Sequence, residues 1–270
     1  MANEMELYLN TLHKLYQAAY GIDFPAGIED DVPPVPVEGP YFHITNISGT
    51  DGTITIMKSG SQNFKLNLYY SKDQTEWTEI GLFGYDGYSI PVKAGEIVYF
   101  RGNNLYFHNS NGNGYQFMCD VAHNVAGCIL TLIYENLETM ELVTTLPQDC
   151  FGNLFQGNTT LVSAKDLNIG NVTQIGASAL TNIFSGCTSL KEGMDIHQIE
   201  TIGNLGLRWM YNGCTALEKA YSASIWRSDA YDNWMRGVTG NGVIYKPSSV
   251  TDMPTNSTYG IPSGWTAINY

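Results

Sequence analysis

The heptapeptide Phe184-Ser-Gly-Cys-Thr-Ser-Leu190 occurs again, slightly altered, as Tyr211-Asn-Gly-Cys-Thr-Ala-Leu217, 27 residues further along the chain. A weaker copy, Phe155-Gln-Gly-Asn-Thr-Thr-Leu161, precedes both. A self-similar period of about 20 to 50 residues is typical of proteins in which small units stack and share one continuous core. These copies therefore predict a short repeat array in the second half of the chain.

Four aligned segments extend this pattern from residue 151 to residue 237. Each has apolar residues at i, i+3 and i+4 and a glycine two residues later, as follows: Phe151, Leu154, Phe155 and Gly157; Leu180, Ile183, Phe184 and Gly186; Leu207, Met210, Tyr211 and Gly213; Tyr231, Trp234, Met235 and Gly237. A further apolar residue lies five positions before each triplet, at Leu146, Ile175, Ile202 and Trp226. The triplet predicts one helical turn ended by a left-handed glycine, and the connecting segments predict one strand per unit. We therefore expect a leucine-rich-repeat-like solenoid with a C-terminal cap over residues 135–270.

Residues 41–134 follow a period of two instead. Apolar residues alternate at Ile54 and Ile56, at Leu66 and Leu68, and at Ile90 and Val92, as expected of half-buried strands. Glycine- and asparagine-rich turns separate these segments, so the region predicts an antiparallel β-sandwich. The apolar run near Val125 to Tyr134 predicts a further, buried strand.

The first 40 residues differ from both regions. Apolar residues at spacings of three and four predict a short helix, and they are Met5, Tyr8, Leu12, Leu15 and Ala19. Four prolines between residues 33 and 40 then favour an extended, semi-rigid spacer. We interpret the helix and Pro-rich arm as a segment that anchors the protein to a particle or an oligomer, the alternative being that the helix packs on its own β domain. The predicted fold class is therefore mainly β, with an N-terminal helix, a sandwich and a repeat region.

The composition excludes several functions. Thirteen Lys and Arg against 26 Asp and Glu give a net charge of −13, which repels nucleic acid, and no apolar run is long enough to predict membrane insertion. The N-terminus carries acid where a secretory signal would carry Lys or Arg, so we expect a protein made in a cytoplasm. An odd number of cysteines, five, without a CxxC pair favours reduced thiols.

No residue pattern predicts a catalytic or metal site, and we expect no cofactor. The five histidines are isolated from any recognisable nucleophile or metal spacing. The segment Ser71-Lys-Asp-Gln-Thr-Glu-Trp77 resembles a sialidase Asp-box, but it is one residue short and occurs once, so it predicts a hairpin turn. Cys187 and Cys214 occupy equivalent repeat positions, which predicts stacked apolar side chains rather than a metal or redox pair.

Aromatic residues beside amides are the strongest candidates for ligand binding. A flat ring can cover a sugar face while amides bind its hydroxyls. The candidates for glycan binding are Tyr106, His108, Trp226, Tyr231 and Trp234. The alternative is that these rings fill a thin core and close the repeat array.

The copies Phe184–Leu190 and Tyr211–Leu217, each preceded by Ile-Gly, resemble the BspA-type leucine-rich repeats of Bacteroides-group surface proteins. The segments 98–104 and 259–267 also resemble sequences that flank such repeats, so the resemblance covers residues 41–270. Similar modules occur in virion fibre proteins of phages of gut Bacteroides, including crAss-like phages. The resemblance implies a bacteriophage head or tail fibre or capsid decoration, made in the host cytoplasm. It also implies virion partner proteins, a homo-oligomer such as a trimer, and attachment to a host surface polysaccharide. The alternatives are a bacterial cell-surface adhesin and, third, a carbohydrate-active enzyme.

Overall fold

A computed structural model of the chain describes residues 40–59, 66–104, 107–108, 114–256 and 258–270. Within these ranges the protein is mainly β, with one α-helix of five residues and one 3-10 turn, so the predicted mainly β class is confirmed. The described residues belong to one compact unit, Glu38–Tyr270. The predicted anchoring helix, Met5 to Ala19, and the arm up to residue 39 lie outside the described residues.

The strands are numbered in chain order. The first eight are β1 (Phe42–Asn46), β2 (Gly52–Ser59), β3 (Leu68–Ser71), β4 (Thr78–Ile80), β5 (Tyr88–Val92), β6 (Ile97–Gly102), β7 (Gly114–Cys119) and β8 (His123–Cys128). A 3-10 turn (Ile129–Leu132) and helix α1 (Leu137–Glu141) follow. The remaining strands are β9 (Thr145–Leu146), β10 (Leu161–Asn168), β11 (Gln174–Ile175), β12 (Thr201–Ile202), β13 (Lys219–Tyr221), β14 (Val243–Lys246) and β15 (Thr266–Asn269).

Strands β1 to β8 form two sheets that are antiparallel throughout. One has the order β8-β1-β6-β3-β4 and the other β5-β2-β7, and β10 joins the first sheet beside β8. Phe42 and Phe100 of the first sheet lie 5.1 and 4.8 Å, centroid to centroid, from Phe117 of the second. These edge-to-face rings close a buried core between the sheets, as aromatic side chains prefer. The sandwich predicted for residues 41–134 is consistent with this arrangement.

The apolar run after Val125 is only half a strand. β8 ends at Cys128, and Ile129–Leu132 forms a 3-10 turn whose side chains are buried. The Thr131 hydroxyl donates to the Cys128 carbonyl at 2.9 Å and accepts the Phe42 N–H at 3.0 Å. This side chain bonds the main chain locally and replaces a continued ladder, which periodicity alone could not indicate.

The repeated segments stack in register. Ile175 of β11 pairs with Leu146 of β9 on one side and with Ile202 of β12 on the other, all parallel, so these three predicted equivalences are correct. The Phe184 ring lies 5.6 Å from Phe155 and 5.6 Å from Tyr211, nearly parallel to both. All the apolar triplet residues of the four units are buried. Successive copies therefore share one continuous apolar core.

The predicted helical turn in each unit is wrong. The Phe155 N–H donates to Ile183 of the next unit at 2.9 Å, whereas the neighbouring Gln156 N–H donates three residues back to Asn153 at 3.0 Å. Asn153, Asn182, Trp209 and Asn233, four residues before each glycine, have positive φ between 54 and 61°. A helix would direct every N–H back along the chain, but these left-handed residues turn alternate N–H groups toward the next unit. The glycines do adopt the predicted left-handed conformation, with φ of 77° at Gly186.

The sandwich and the first unit bond directly to each other. The Phe117 N–H of β7 donates to the Leu154 carbonyl at 2.8 Å, and the Asn158 amide donates to the Phe117 carbonyl at 3.1 Å. β10 pairs with β8 in parallel, and single bridges at Glu192 continue this ladder to β13. Main-chain bonds thus cross the boundary predicted between residues 134 and 135.

His123 makes stability depend on pH at this junction. Its Nδ1 donates to the Val121 carbonyl at 2.9 Å in the neutral tautomer, leaving Nε2 to accept the Asn158 amide at 3.1 Å. Burial lowers the pKa of His123 to about 4, against about 6.5 in an unfolded chain. Between these values only the unfolded chain binds the proton, so stability is full above pH ~6.5. It falls as the pH drops, by about 3 kcal/mol near pH 4.

Urea unfolding at pH 7, 6 and 5 measures this loss. The variant His123→Gln keeps an acceptor for Asn158 but does not titrate, so its free energy of unfolding is expected to change less between pH 6.5 and 5. Equal pH slopes for the two proteins would show that His123 is not the titrating group.

Candidate functional site

Two of the aromatic residues predicted to bind glycan are not accessible. Tyr231 and Trp234 have no exposed surface. The Trp234 indole N–H donates to the Gly260 carbonyl at 2.8 Å, and the Tyr231 hydroxyl accepts the Ala223 N–H at 3.0 Å. The prediction for these two residues is wrong because both rings are buried in the core. The C-terminal segment bonds to Trp234, and the main chain just before the last unit bonds to Tyr231.

The other three candidates are not brought together. Trp226 is half-buried beside the last unit, where its indole N–H donates to the Tyr259 carbonyl at 2.8 Å. His108 lies at the first unit, with Nε2 2.8 Å from the Asn153 amide, and burial lowers its pKa. Tyr106 lies outside the described residues. The described candidate residues therefore do not form a single aromatic binding surface.

The segment Ser71–Trp77 forms the predicted hairpin between β3 and β4. The Asp73 carboxylate accepts the Thr75 and Glu76 N–H groups at 2.8 and 3.0 Å. These bonds, that from Glu76 first, hold the pKa of the carboxyl well below its usual range. A carboxylate bonded in this way stabilises a turn and stays ionised, so it is a poor general acid.

All five cysteines are buried and free. Cys187 and Cys214 occupy equivalent positions, and each thiol lies 3.1 and 3.0 Å from a carbonyl of the preceding unit, Phe155 and Phe184 respectively. Burial raises the pKa of the Cys214 thiol to about 12 and that of Cys187 well above its ordinary value. These thiols pack as stacked apolar groups and are unsuited to nucleophilic chemistry at neutral pH.

Thiol labelling checks this environment. Because the thiolate is the reactive form, a short pulse of iodoacetamide at pH 8 is expected to leave every cysteine of the native protein unmodified. The same pulse in denaturant labels all five, counted by intact mass. A native protein that is labelled at Cys187 or Cys214 would contradict the buried positions.

A polar cleft lies on the outer face of the first sheet, where β10 lies beside β8. Its volume is about 560 Å³, and it is lined by Pro40, His43, Thr45, Ile97, Asn124, Ala126, Gly127, Asp166 and Asn168. We call this region the β8–β10 cleft. Thr45 of β1, Asn124 of β8 and Ser163 of β10 are register partners across the three strands. His43, Ala126 and Asp166 form the next row. Strand spacing places neighbours within a row about 4.8 Å apart.

The backbone shapes this cleft. The register of β10 against β8 is irregular at two places between Leu161 and Asp166, and such irregularities bend a strand and re-aim its side chains. Gly127 has φ of 77°, and a Cβ there would lie 2.1 Å from the Tyr41 carbonyl oxygen. The close approach of Tyr41 and Gly127 thus requires glycine at this edge of the cleft.

Two polar side chains of the cleft have acceptor atoms that the described residues leave without a donor. His43 Nδ1 lies 3.0 Å from the Tyr41 carbonyl, so the neutral ring donates there and leaves Nε2 as an acceptor. The Asn124 side-chain oxygen is buried and accepts no hydrogen bond from the described residues. A buried acceptor of this kind is unfavourable until a donor reaches it. The cleft therefore offers acceptors, one carboxylate and small apolar surfaces in a confined space.

Sequence reasoning missed this cleft because its residues form no motif. His43, Thr45, Asn124 and Ala126 alternate with buried residues along β1 and β8, which marks them only as outward-facing. The pairing of β10 with β8 brings in Asp166 and Asn168 from 40 residues away in sequence, counted from Ala126 to Asp166. The alternation could have indicated which residues lie on the outer face of the sheet. Only the strand pairing shows that β1, β8 and β10 lie side by side on that face.

Within the described residues, no three His, Cys, Asp or Glu side chains are grouped closely enough to hold a metal ion, and no helix has the length and apolarity to cross a membrane. The chain matches no known family model, no characterised protein sequence and no solved structure.

Proposed function

We propose that this protein is a structural virion protein of a bacteriophage, a head or tail fibre or a capsid decoration. Residues 1–40 would attach it to the particle, and the sandwich and repeats would be displayed for attachment to the host surface. Its partners would be other capsid or tail proteins, and copies would associate as a homo-oligomer such as a trimer. It would act by recognition and not by catalysis.

The stacking of the repeats is the observation that carries this proposal. Each unit bonds to the next through parallel main-chain hydrogen bonds, and the Phe155, Phe184 and Tyr211 rings form one column. We interpret this stack as a short leucine-rich-repeat-like solenoid closed by a C-terminal cap. Such arrays are rigid, quasi-linear and offer extended surfaces, which suits display. The resemblance of the repeats to BspA-type modules supports the same interpretation.

Purified particles test the proposal. Mass spectrometry of extensively washed virions from a gut Bacteroides host should detect the protein at a fixed copy number per particle. The double variant Leu12→Asp and Leu15→Asp changes the apolar stripe and should lower that copy number at least about tenfold, since burying a carboxylate in an interface is costly. The double variant His13→Asp and Gln17→Asp is the matched control outside the stripe, and it should assemble normally. Particles that lack the full-length protein would overturn the proposal.

The adhesin alternative rests on the same repeats. If the protein were a bacterial cell-surface adhesin, it would occur in the envelope fraction of uninfected cells and be removed by protease on intact cells. A carbohydrate-active enzyme would release reducing sugars from host glycans, and a carboxylate substitution such as Asp166→Asn would abolish that release. Washed virions, cell fractions and a reducing-sugar assay thus distinguish the three functions.

A further inference from the structure

We propose that the β8–β10 cleft is the glycan-binding site of this protein and that its ligand is a neutral oligosaccharide. The proposal rests on the attachment function above and names the class of molecule that this surface would bind. Glycan would thus bind in this cleft and not at the aromatic residues of the last unit, which are buried.

The charge of the cleft favours an uncharged ligand. Among its described lining residues Asp166 carries a negative charge, and none is Lys or Arg. The whole chain has a net charge of −13. Sialylated, uronic or phosphorylated sugars would place an anion beside Asp166 with no cation to pair with it, which is unfavourable in a confined, partly desolvated space.

The groups present match sugar hydroxyls. Asn124 and Asn168 provide amides, Thr45 provides a hydroxyl, and His43 provides a ring acceptor, while Pro40, Ile97 and Ala126 provide small apolar surfaces. A saccharide has both hydroxyls and apolar C–H faces, and a few placed polar groups on an apolar wall are typical of small-ligand sites. The volume of about 560 Å³ lies within the usual range for such sites, about 300 to 1,000 Å³.

The topology argues against a peptide in the same place. An extended peptide is usually bound by adding a strand to an exposed sheet edge, where main-chain donors and acceptors are unpaired. β1 and β8 are interior strands, each paired on both sides. The floor of the cleft therefore offers side chains only.

Asn124 provides the second, independent indication of a ligand. Its side-chain oxygen is buried without a hydrogen-bond donor among the described residues. Its register partner Thr45 on β1 also lines the cleft, so a ligand hydroxyl bound there would lie beside both side chains. A turn of the Asn124 amide toward the cleft would let a sugar hydroxyl donate to this oxygen and remove the unfavourable burial.

Titration of the full-length, isotope-labelled protein tests the proposal. The probes are maltotriose, mannotriose and triacetylchitotriose, each added up to about 10 mM, well above a millimolar dissociation constant. Trigalacturonic acid is the anionic comparison. At least one neutral trisaccharide is expected to shift the Asn124 side-chain amide signal saturably. Trigalacturonic acid should bind at least about tenfold more weakly.

Two variants locate the binding. Ala126→Trp fills the cleft and should weaken binding at least about tenfold, whereas Ala267→Trp on β15, an exposed position outside the cleft, should leave it unchanged. Thr45→Val keeps the shape, removes one hydroxyl and should weaken binding about two- to tenfold.

Three results would overturn the proposal: saturation by none of the neutral trisaccharides, equal binding by the Ala126→Trp and parent proteins, or tighter binding of the anionic sugar. None of these results depends on whether the protein is found in virions. Presence on particles together with a negative titration would therefore refute the cleft and keep the virion function.

Discussion

Replacing Phe184 with alanine is expected to lower the free energy of unfolding by about 3 to 5 kcal/mol. The side chain is completely buried, and its ring is stacked at 5.6 Å on both Phe155 and Tyr211, with angles of 5 and 3° between the planes. Alanine would leave a cavity in the middle of the column and remove two ring contacts at once, because neither neighbour can collapse toward the other without breaking its own main-chain ladder. The midpoint of thermal unfolding should fall on the order of 10 °C.

Two further variants separate the contributions to this loss. Phe184→Leu keeps most of the side-chain volume but loses the ring stacking, so we expect the free energy of unfolding to fall by about 1 to 2 kcal/mol. Leu142→Ala removes an apolar side chain that is 80% exposed, and its effect should stay within about 0.5 kcal/mol. Urea denaturation monitored by circular dichroism measures all three. A loss below about 1 kcal/mol for Phe184→Ala would show that the units do not share a core.

Gly127→Ala is expected to lower the free energy of unfolding by about 3 kcal/mol, the second largest effect. A left-handed backbone costs about 1 to 2 kcal/mol for a residue with a Cβ, and the new methyl would also lie 2.1 Å from the Tyr41 carbonyl oxygen. Because that oxygen belongs to the main chain, relief requires β1 to move away from β8. The same change should disturb one wall of the β8–β10 cleft.

Gly95→Ala is the matched control for this substitution. Its φ is 76°, almost the same as the 77° of Gly127, but no atom lies within 4 Å of the added Cβ. Gly95→Ala should therefore lower the free energy of unfolding by about 1 to 2 kcal/mol, the cost of the left-handed backbone alone. Equal losses for the two variants would show that the close approach to Tyr41 contributes nothing.

Local pattern in the sequence predicted the parts of the fold that depend on burial. Alternation at Ile54 and Ile56 and the period that relates Phe155 to Phe184 both reflect which side chains leave water, and both correspond to buried residues. The prediction of helical turns was wrong because burial was all that the pattern recorded. A triplet at i, i+3 and i+4 shows only that three residues face inward and does not specify the backbone conformation. The hydrogen bonds between units decide which backbone conformation buries these residues. Around the triplets the bonded residues are 23 to 28 positions apart, as Phe155 and Ile183 are.

The candidate site was less predictable than the fold. Aromatic residues crowded near the C-terminus gave a plausible ligand surface, yet Trp226 and Trp234 serve to fix residues 259–260 on the last unit. The cleft depends on a parallel pair between β8 and β10, and no local property of Asp166 or Asn124 specifies that pairing. The periodicity of a segment does not determine with which distant strand it pairs or in what register.

Around the repeated triplets, the main-chain hydrogen bonds between units all have the same direction, which gives this part of the array a polarity. The short strands also donate backward, as Gly176 does to Leu146. Around the triplets each unit donates to the carbonyls of the one that follows, as Phe155 does to Ile183, and the sandwich donates to the first unit through Phe117. Strands β1 to β8 precede the first unit in the chain and thus act as a template for it, and each folded unit is the template for its successor. Folding can proceed vectorially as the chain leaves the ribosome, without waiting for the C-terminus. Whole units could also be gained or lost without disturbing the seed on which the others grow.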